Sequence, residues 1–228
     1  IEINMNTLIK AIAALAAVIS LNVSAFAADD DFSGKTMCVF GDSYVANHLR
    51  PYTEAWHSKV AERMGMKYIN FGRNGSSIAF DRSKEGFGRE MTERYKELPD
   101  SIDILLVIAG HNDADWVAKY GGWDKFTKSL DTLCRSLKER YPDTAIGFVT
   151  PWNVDRPYFK EVIEEIISTC GRYGIPVLDA AHTSGIDVNN PEFRAKYFQG
   201  GGVNDTAHLN AAGHDLLLDY GEKFIRSL

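Results

Sequence analysis

Four short stretches carry the side chains with chemical potential: "GDSY" at 41–44, "GRNGSS" at 72–77, "GHND" at 110–113 and "DTAH" at 205–208. Ser43 brings a hydroxyl, Asn112 a neutral N–H donor, and Gly75 a backbone that can approach a ligand closely. Asp205 and His208 stand three residues apart, a spacing that can put both on one face of a turn. A carboxylate that accepts from one imidazole nitrogen fixes the tautomer and leaves the other nitrogen free as a base. A serine beside such a base becomes a nucleophile, so these residue types together describe acyl transfer. Singly, each stretch also reads as something plainer: a tight turn, a helix cap, a solvated Asp-His pair. The question is whether the fold brings them to one place.

The elements that position them follow from hydrophobic periodicity. "KTMCVF", "KYINFG", "IDILLVIAG", "TAIGFVTP" and "IPVLDA" read as strands, and "IDILLVIAG" is apolar on both faces, as a central parallel strand requires. Between them lie helical patterns. Trp56, Val60, Ala61 and Met64 mark one apolar face, closed by Gly65; Trp123, Phe126, Leu130, Leu133, Cys134 and Leu137 mark another. Val162, Ile163, Ile166, Ile167 and Cys170 form a third, with Pro157 suited to its first turn. Asn210 is placed to cap a final helix carrying Leu216, Leu217, Tyr220 and Phe224.

This alternation predicts one domain over 28–228: a three-layer α/β/α sandwich on a flavodoxin-like parallel sheet of about five strands. Residues 72–89 and Gly200–Gly202 read as surface loops. Right-handed crossovers put the C-terminal ends of parallel strands on one edge, where open α/β folds bind ligands. That edge collects Asp42 and Ser43, then Gly72, Asn74 and Gly75, then "GHND", then Thr150 and Trp152, then Asp179 and His182.

Composition narrows the function classes. The formal net charge of -6, with no long basic run, argues against nucleic acid as a partner. Near the N-terminus, Lys10 and the apolar "AIAALAAVISLNVSAFA" read as a secretory signal cleaved after Ala27. An uncleaved membrane anchor is the alternative, although the stretch is short for a span. Residues 1–4 precede Met5 and read as a remnant. The expected product is secreted or periplasmic, with no stable membrane association after cleavage. Three cysteines cannot all pair within one chain; they read as buried thiols, with Cys134–Cys170 the one pairing left open.

In order and spacing the four blocks resemble those of the SGNH hydrolases, the superfamily of GDSL esterases and lipases. The resemblance rests on "GDSY", "NFGRNGSS", "GHND" and "DTAHLNAAGH" and spans the chain after the signal. It implies Ser43 as nucleophile, His208 as general base and Asp205 as the residue orienting it. It implies an oxyanion hole of the Ser43 N–H, the Gly75 N–H and the Asn112 side chain, with Gly72 the alternative in the same loop. Position 111 is His where many members have Thr, and "GHND" is similar to the block of rhamnogalacturonan acetylesterases.

The expected activity is a serine esterase without cofactor or metal, removing short acyl groups, acetyl above all, from a small molecule or polysaccharide. His111, Asp113, His208 and His214 match no standard metal spacing, and His214 reads as a helix-surface residue. Trp152, His111 and His182 are the expected substrate-binding residues; Trp116 and Asp115 add to a surface suited to sugar, while Trp123 falls in core register. No run of Leu, Ile or Phe lies near the four blocks to make a long-chain groove. A lipase, lysophospholipase or thioesterase is the alternative within hydrolases. A non-catalytic carbohydrate-binding relative is the alternative outside them, disfavoured because a binding module has no use for the complete set.

Overall fold

The computed structural model describes residues 32–228. The proposed signal at 1–27 lies outside the described residues. Five strands, β1 (Thr36–Gly41), β2 (Lys67–Gly72), β3 (Ile104–Ile108), β4 (Ala145–Val149) and β5 (Val177–Leu178), form one sheet in the order β2-β1-β3-β4-β5. Every pairing is parallel. All five residues of β3 are buried, as the two-sided apolar run requires.

The helices are α1 (Ser43–Ala46), α2 (Trp56–Arg63), α3 (Met91–Arg94), α4 (His111–Tyr120), α5 (Trp123–Arg140), α6 (Phe159–Arg172), α7 (Ala180–Thr183), α8 (Pro191–Tyr197), α9 (Ala211–Asp215) and α10 (Leu218–Ile225). They flank the sheet as an α/β/α sandwich, with α2 packed on α10, and α3, α4 and α6 packed around α5. Among the described residues no helix is long and apolar enough to cross a membrane.

Several local expectations change. Pro157 lies ahead of α6, whose N-cap is Tyr158. Asn210 caps α9 by accepting from the Gly213 N–H, but the C-terminal segment breaks into α9 and α10. His214, expected on the surface, is buried in α9. The segment after β2 is no surface loop throughout: Ser76, Ser77, Ile78, Ala79 and Phe80 are all buried. Cys134 and Cys170 face each other across α5 and α6 with sulfurs 3.9 Å apart, both as free thiols. Burial pushes the Cys38 thiol up to about 12.

Candidate active site

β1 ends at Gly41, and the chain turns at once into α1. A side chain on Gly41 would stand 2.1 Å from the Ile108 carbonyl oxygen of neighbouring β3, so only glycine lets the strand reach this register. Asp42 then caps α1, accepting the Tyr44 N–H at 2.8 Å. Ser43 is the first residue of that helix, where backbone N–H groups have no intrahelical acceptor. The glycine, the aspartate and the serine thus have three separate jobs: close approach, cap, and a half-buried hydroxyl in the first turn of a helix.

The terminal block comes back to the same point. The Ser43 hydroxyl donates to His208 Nε2 at 2.8 Å, and His208 Nδ1–H donates to Asp205 Oδ2 at 2.8 Å. The other Asp205 oxygen accepts the backbone N–H groups of Ala207 and His208 at 2.8 and 2.9 Å. Burial alone would raise the Asp205 carboxyl; the hydrogen bonds from the His208 ring and from these two N–H groups outweigh it and hold the group below the usual carboxylate range. The tautomer with the proton on Nδ1 is the one this network dictates.

His208 is also held from its faces. His48 stacks on it at 4.3 Å with planes 12° apart, and Tyr44 meets it edge-on. Asn47 and His48 both have left-handed backbones, with φ of 59° and 45°, an uncommon conformation for two adjacent non-glycine residues. Asn47 is anchored by donating to the Pro51 carbonyl and accepting from His214 Nε2–H. Sequence reasoning missed His48; its distance of five residues from Ser43 was the only available signal.

The expected oxyanion donors come from the segment after β2 and the first turn of α4. Gly75 has φ of +69°, and a side chain there would strike the Phe87 ring at 2.4 Å, so both the turn and the packing demand glycine. Gly72, the alternative, ends β2 opposite Gly41. Asn112 sits in the first turn of α4 and donates from Nδ2 to the Ser76 carbonyl at 2.8 Å, with Asp42 Oδ2 at 3.4 Å. Asp113 turns the other way and accepts from the Ser77 hydroxyl and the Ile78 and Ala79 N–H groups, which explains why that loop is buried.

The three expected substrate contacts are placed differently. Trp152 is 5% exposed and its indole N–H donates to the Ala207 carbonyl, so it supports the Asp205–His208 loop from beneath. His111 is buried too: Nδ1 bonds the Tyr44 hydroxyl at 2.9 Å and Nε2 faces the Arg156 guanidinium at 3.2 Å. Burial first, and Arg156 second, pull its pKa down to about 3. His182 bonds its neighbour Asp179 and is not among the residues lining the cavity at Ser43. Trp116 is stacked on Phe80 instead of standing free, and Asp115 is paired with Arg156.

That cavity is lined by Ser43, Tyr44, Trp56, Trp152, His208 and Leu209, among others, and its free volume is about 10 Å³. One water molecule would fill it. The arrangement can therefore activate a hydroxyl, stabilise an oxyanion and exclude bulk beneath the serine.

Comparison with known proteins agrees with this geometry. The model of the GDSL-like lipase/acylhydrolase family matches residues 39–216, and the chain belongs to that family. No curated protein sequence matches it. Among solved structures it is similar to a Lactobacillus plantarum protein at 23% identity and a TM-score of 0.71, covering 86% of this chain and 98% of that one. It is similar to a member of the lipolytic G-D-S-L family from Veillonella parvula at 17% identity and 0.60, covering 86% and 100%. It is similar also to a variant of Axe2, an acetylxylan esterase from Geobacillus stearothermophilus, at 15% identity and 0.64, covering 85% and 94%. At these identities the solved structures speak for the shared fold.

Proposed function

We propose that this GDSL-family acylhydrolase is an exported serine esterase that removes short acyl groups, acetyl above all, from a carbohydrate. The observation that carries the reading is the unbroken chain from Ser43 through His208 to Asp205, with both links at 2.8 Å. Ser43 Oγ attacks the ester carbonyl while its proton passes to His208 Nε2. Asp205 stabilises the imidazolium that results. The carbonyl oxygen becomes an oxyanion held by the N–H groups of Ser43 and Gly75 and by the Asn112 side chain, where one such donor is worth about 2.7–4 kcal/mol. His208 then returns the proton to the leaving alkoxide. Water, activated by the same base, attacks the acyl-Ser43 ester and releases the acid.

Two features support a small acyl group. The cavity lined by Ser43, Trp152 and His208 has a volume of about 10 Å³ and gives a long chain no room there. The fold is also shared with an acetylxylan esterase, and the proposed signal at 1–27 would bring the enzyme to extracellular polymers. One observation favours a second reading: Leu49, next to His48, is 83% exposed, and Val203, two residues before Asp205, is 80% exposed. Apolar side chains there suit a bulkier, lipid-like substrate. The deciding experiment is kcat/KM across acetyl, butyryl and octanoyl aryl esters, with acetate release from acetylated xylan and pectin. Preference for acetyl with acetate released supports the first reading; preference for octanoyl with none released replaces it with the second.

A further inference from the structure

The proposed oxyanion donors come from separate segments, Gly75 after β2 and Asn112 at the start of α4, which meet where Asn112 Nδ2 donates to the Ser76 carbonyl at 2.8 Å. One further side chain bridges Gly75 itself to Asn112. Arg82 Nη1 donates to the Gly75 carbonyl at 2.9 Å and reaches Asn112 Oδ1 at 3.4 Å. We propose that Arg82 is a positioning residue for the oxyanion hole, a reading that rests on the esterase assignment above. Its guanidinium also spans the two donor segments and favours the Asn112 amide with Oδ1 toward the cation and Nδ2 toward the Ser76 carbonyl and Asp42.

Three arguments carry this. The first is orientation. With Oδ1 on Arg82 and Nδ2 on the Ser76 carbonyl at 2.8 Å, the two ends of the Asn112 amide have different partners, and a flip would set Nδ2 against the cation. The second is polarisation. A positive charge at the amide oxygen draws electron density from the nitrogen and strengthens its N–H groups as donors. The 3.4 Å contact is long for a hydrogen bond, but the potential of a charge falls only as the inverse of distance, so the interaction survives the stretch.

The third is rigidity. Arg82 is itself fixed by Glu85 Oε2, which accepts at 2.7 and 3.2 Å, and by the face of Phe87, 4.5 Å from the guanidinium carbon. Its backbone closes a small antiparallel bridge with Gly88. Phe87, on the same loop, fills the space where a side chain on residue 75 would go. The loop therefore grips Gly75 from two sides. The Arg82 side chain is only 17% exposed, so water screens its charge weakly. Arg94, another cation near this segment, binds the Gly41 and Phe71 carbonyls and the Ser76 hydroxyl, and so holds strand ends.

The test compares wild type with Arg82→Ala, Arg82→Met and Arg82→Lys on p-nitrophenyl acetate. Arg82→Ala and Arg82→Met should lower kcat about 10–100-fold with KM changed less than about threefold, because a weakened donor acts on the transition state. Arg82→Lys should recover part of the loss, since it restores charge without reaching both acceptors. Millimolar guanidinium chloride should raise kcat of Arg82→Ala severalfold and leave wild type unchanged. Should Arg82→Ala fail to fold, Arg82→Met, which keeps the packing on Phe87, and Arg82→Lys carry the test. Arg82→Met with kcat within twofold of wild type overturns the proposal, as does a loss that neither lysine nor guanidinium relieves and that raises KM in step. If wild type neither hydrolyses the ester nor takes a fluorophosphonate label at Ser43, the esterase reading itself fails; if it does both and the variants keep kcat, only the role of Arg82 fails.

Discussion

Two rows of polar residues meet at the C-terminal edge of the sheet, and they differ in almost everything but residue type. The front row is Ser43, Asn112, Asp205 and His208, half-buried and open to a substrate. The back row is Asp42, Asp113, His57, His111 and His214, all buried. In front, hydrogen bonds hold the Asp205 carboxyl below its ordinary range. Behind, burial pushes Asp42 up to about 7 and raises Asp113 as well. Burial pulls His57 down to about 4 and, helped by neighbouring positive charge, His111 and His214 down to about 3. The histidines make the point most directly. His208 and His214 are six residues apart, yet one is bonded to a carboxylate and a serine while the other sits between the Trp56 N–H and the Asn47 carboxamide. Partner and burial, not spacing, separate a base from a brace.

The contrast breaks most visibly at the front. Ser43→Ala should lower kcat about 10⁵–10⁶-fold, His208→Ala nearly as much, and the double variant no more than either, because residues acting as a unit are not additive. Both single variants should melt within about 2 °C of wild type, since neither side chain is part of the core; kinetics on an aryl acetate and a thermal scan read both. Asn112→Ala should cost about 10²–10³ in kcat with a smaller change in KM. A change confined to KM would make Asn112 a substrate contact instead.

The back row should fail the other way. Asp113→Ala leaves a hydroxyl and two buried N–H groups without their acceptor. The expected loss is about 3–5 kcal/mol, a fall in Tm of about 10 °C, with kcat at 25 °C reduced less than by Asn112→Ala. A variant that melts normally but loses kcat would move Asp113 into the front row.

Acid gives the most diagnostic effect. His57, His111 and His214 have folded pKa values of about 4, about 3 and about 3. The unfolded chain holds them near about 6.5 and takes up more protons below that pH. Their contribution to stability is therefore complete above about pH 6.5 and is lost as pH falls toward 4. Asp42, raised to about 7, has the opposite sign and gains stability over the same interval. Tm should fall from pH 7 to pH 4, and Asp42→Asn should make the fall steeper by removing one of the compensating groups; Asp113, also raised by burial, acts with the same sign. A slope unchanged by Asp42→Asn would contradict the burial argument.

This division explains what was legible in the sequence. The strands were, because two-sided apolar runs such as residues 104–108 have few other places to go. The meeting of Ser43, Asp205 and His208 was, because strand ends and motif order point to one edge. The back row was not, since its burial depends on partners far along the chain. Ser76 to Phe80 read as surface until Asp113 supplies acceptors for their N–H groups, and His214 until Asn47 and Trp56 enclose it. Trp152 was assigned to substrate on its residue type and its place just after the fourth strand, whereas its N–H is committed to the Ala207 carbonyl. Arg82 lay inside a stretch whose charge and glycine content point to solvent.

The central claim is that Ser43 is a nucleophile made reactive by His208, and covalent labelling tests it most directly. Wild type, Ser43→Ala and His208→Ala would be treated with a fluorophosphonate and the adduct located by peptide mass spectrometry. Wild type should carry one adduct, at Ser43, Ser43→Ala none, and labelling of His208→Ala should be slowed by at least about 10³-fold. Labelling of His208→Ala at the wild-type rate, or no adduct at Ser43 in an enzyme that still hydrolyses esters, would contradict it.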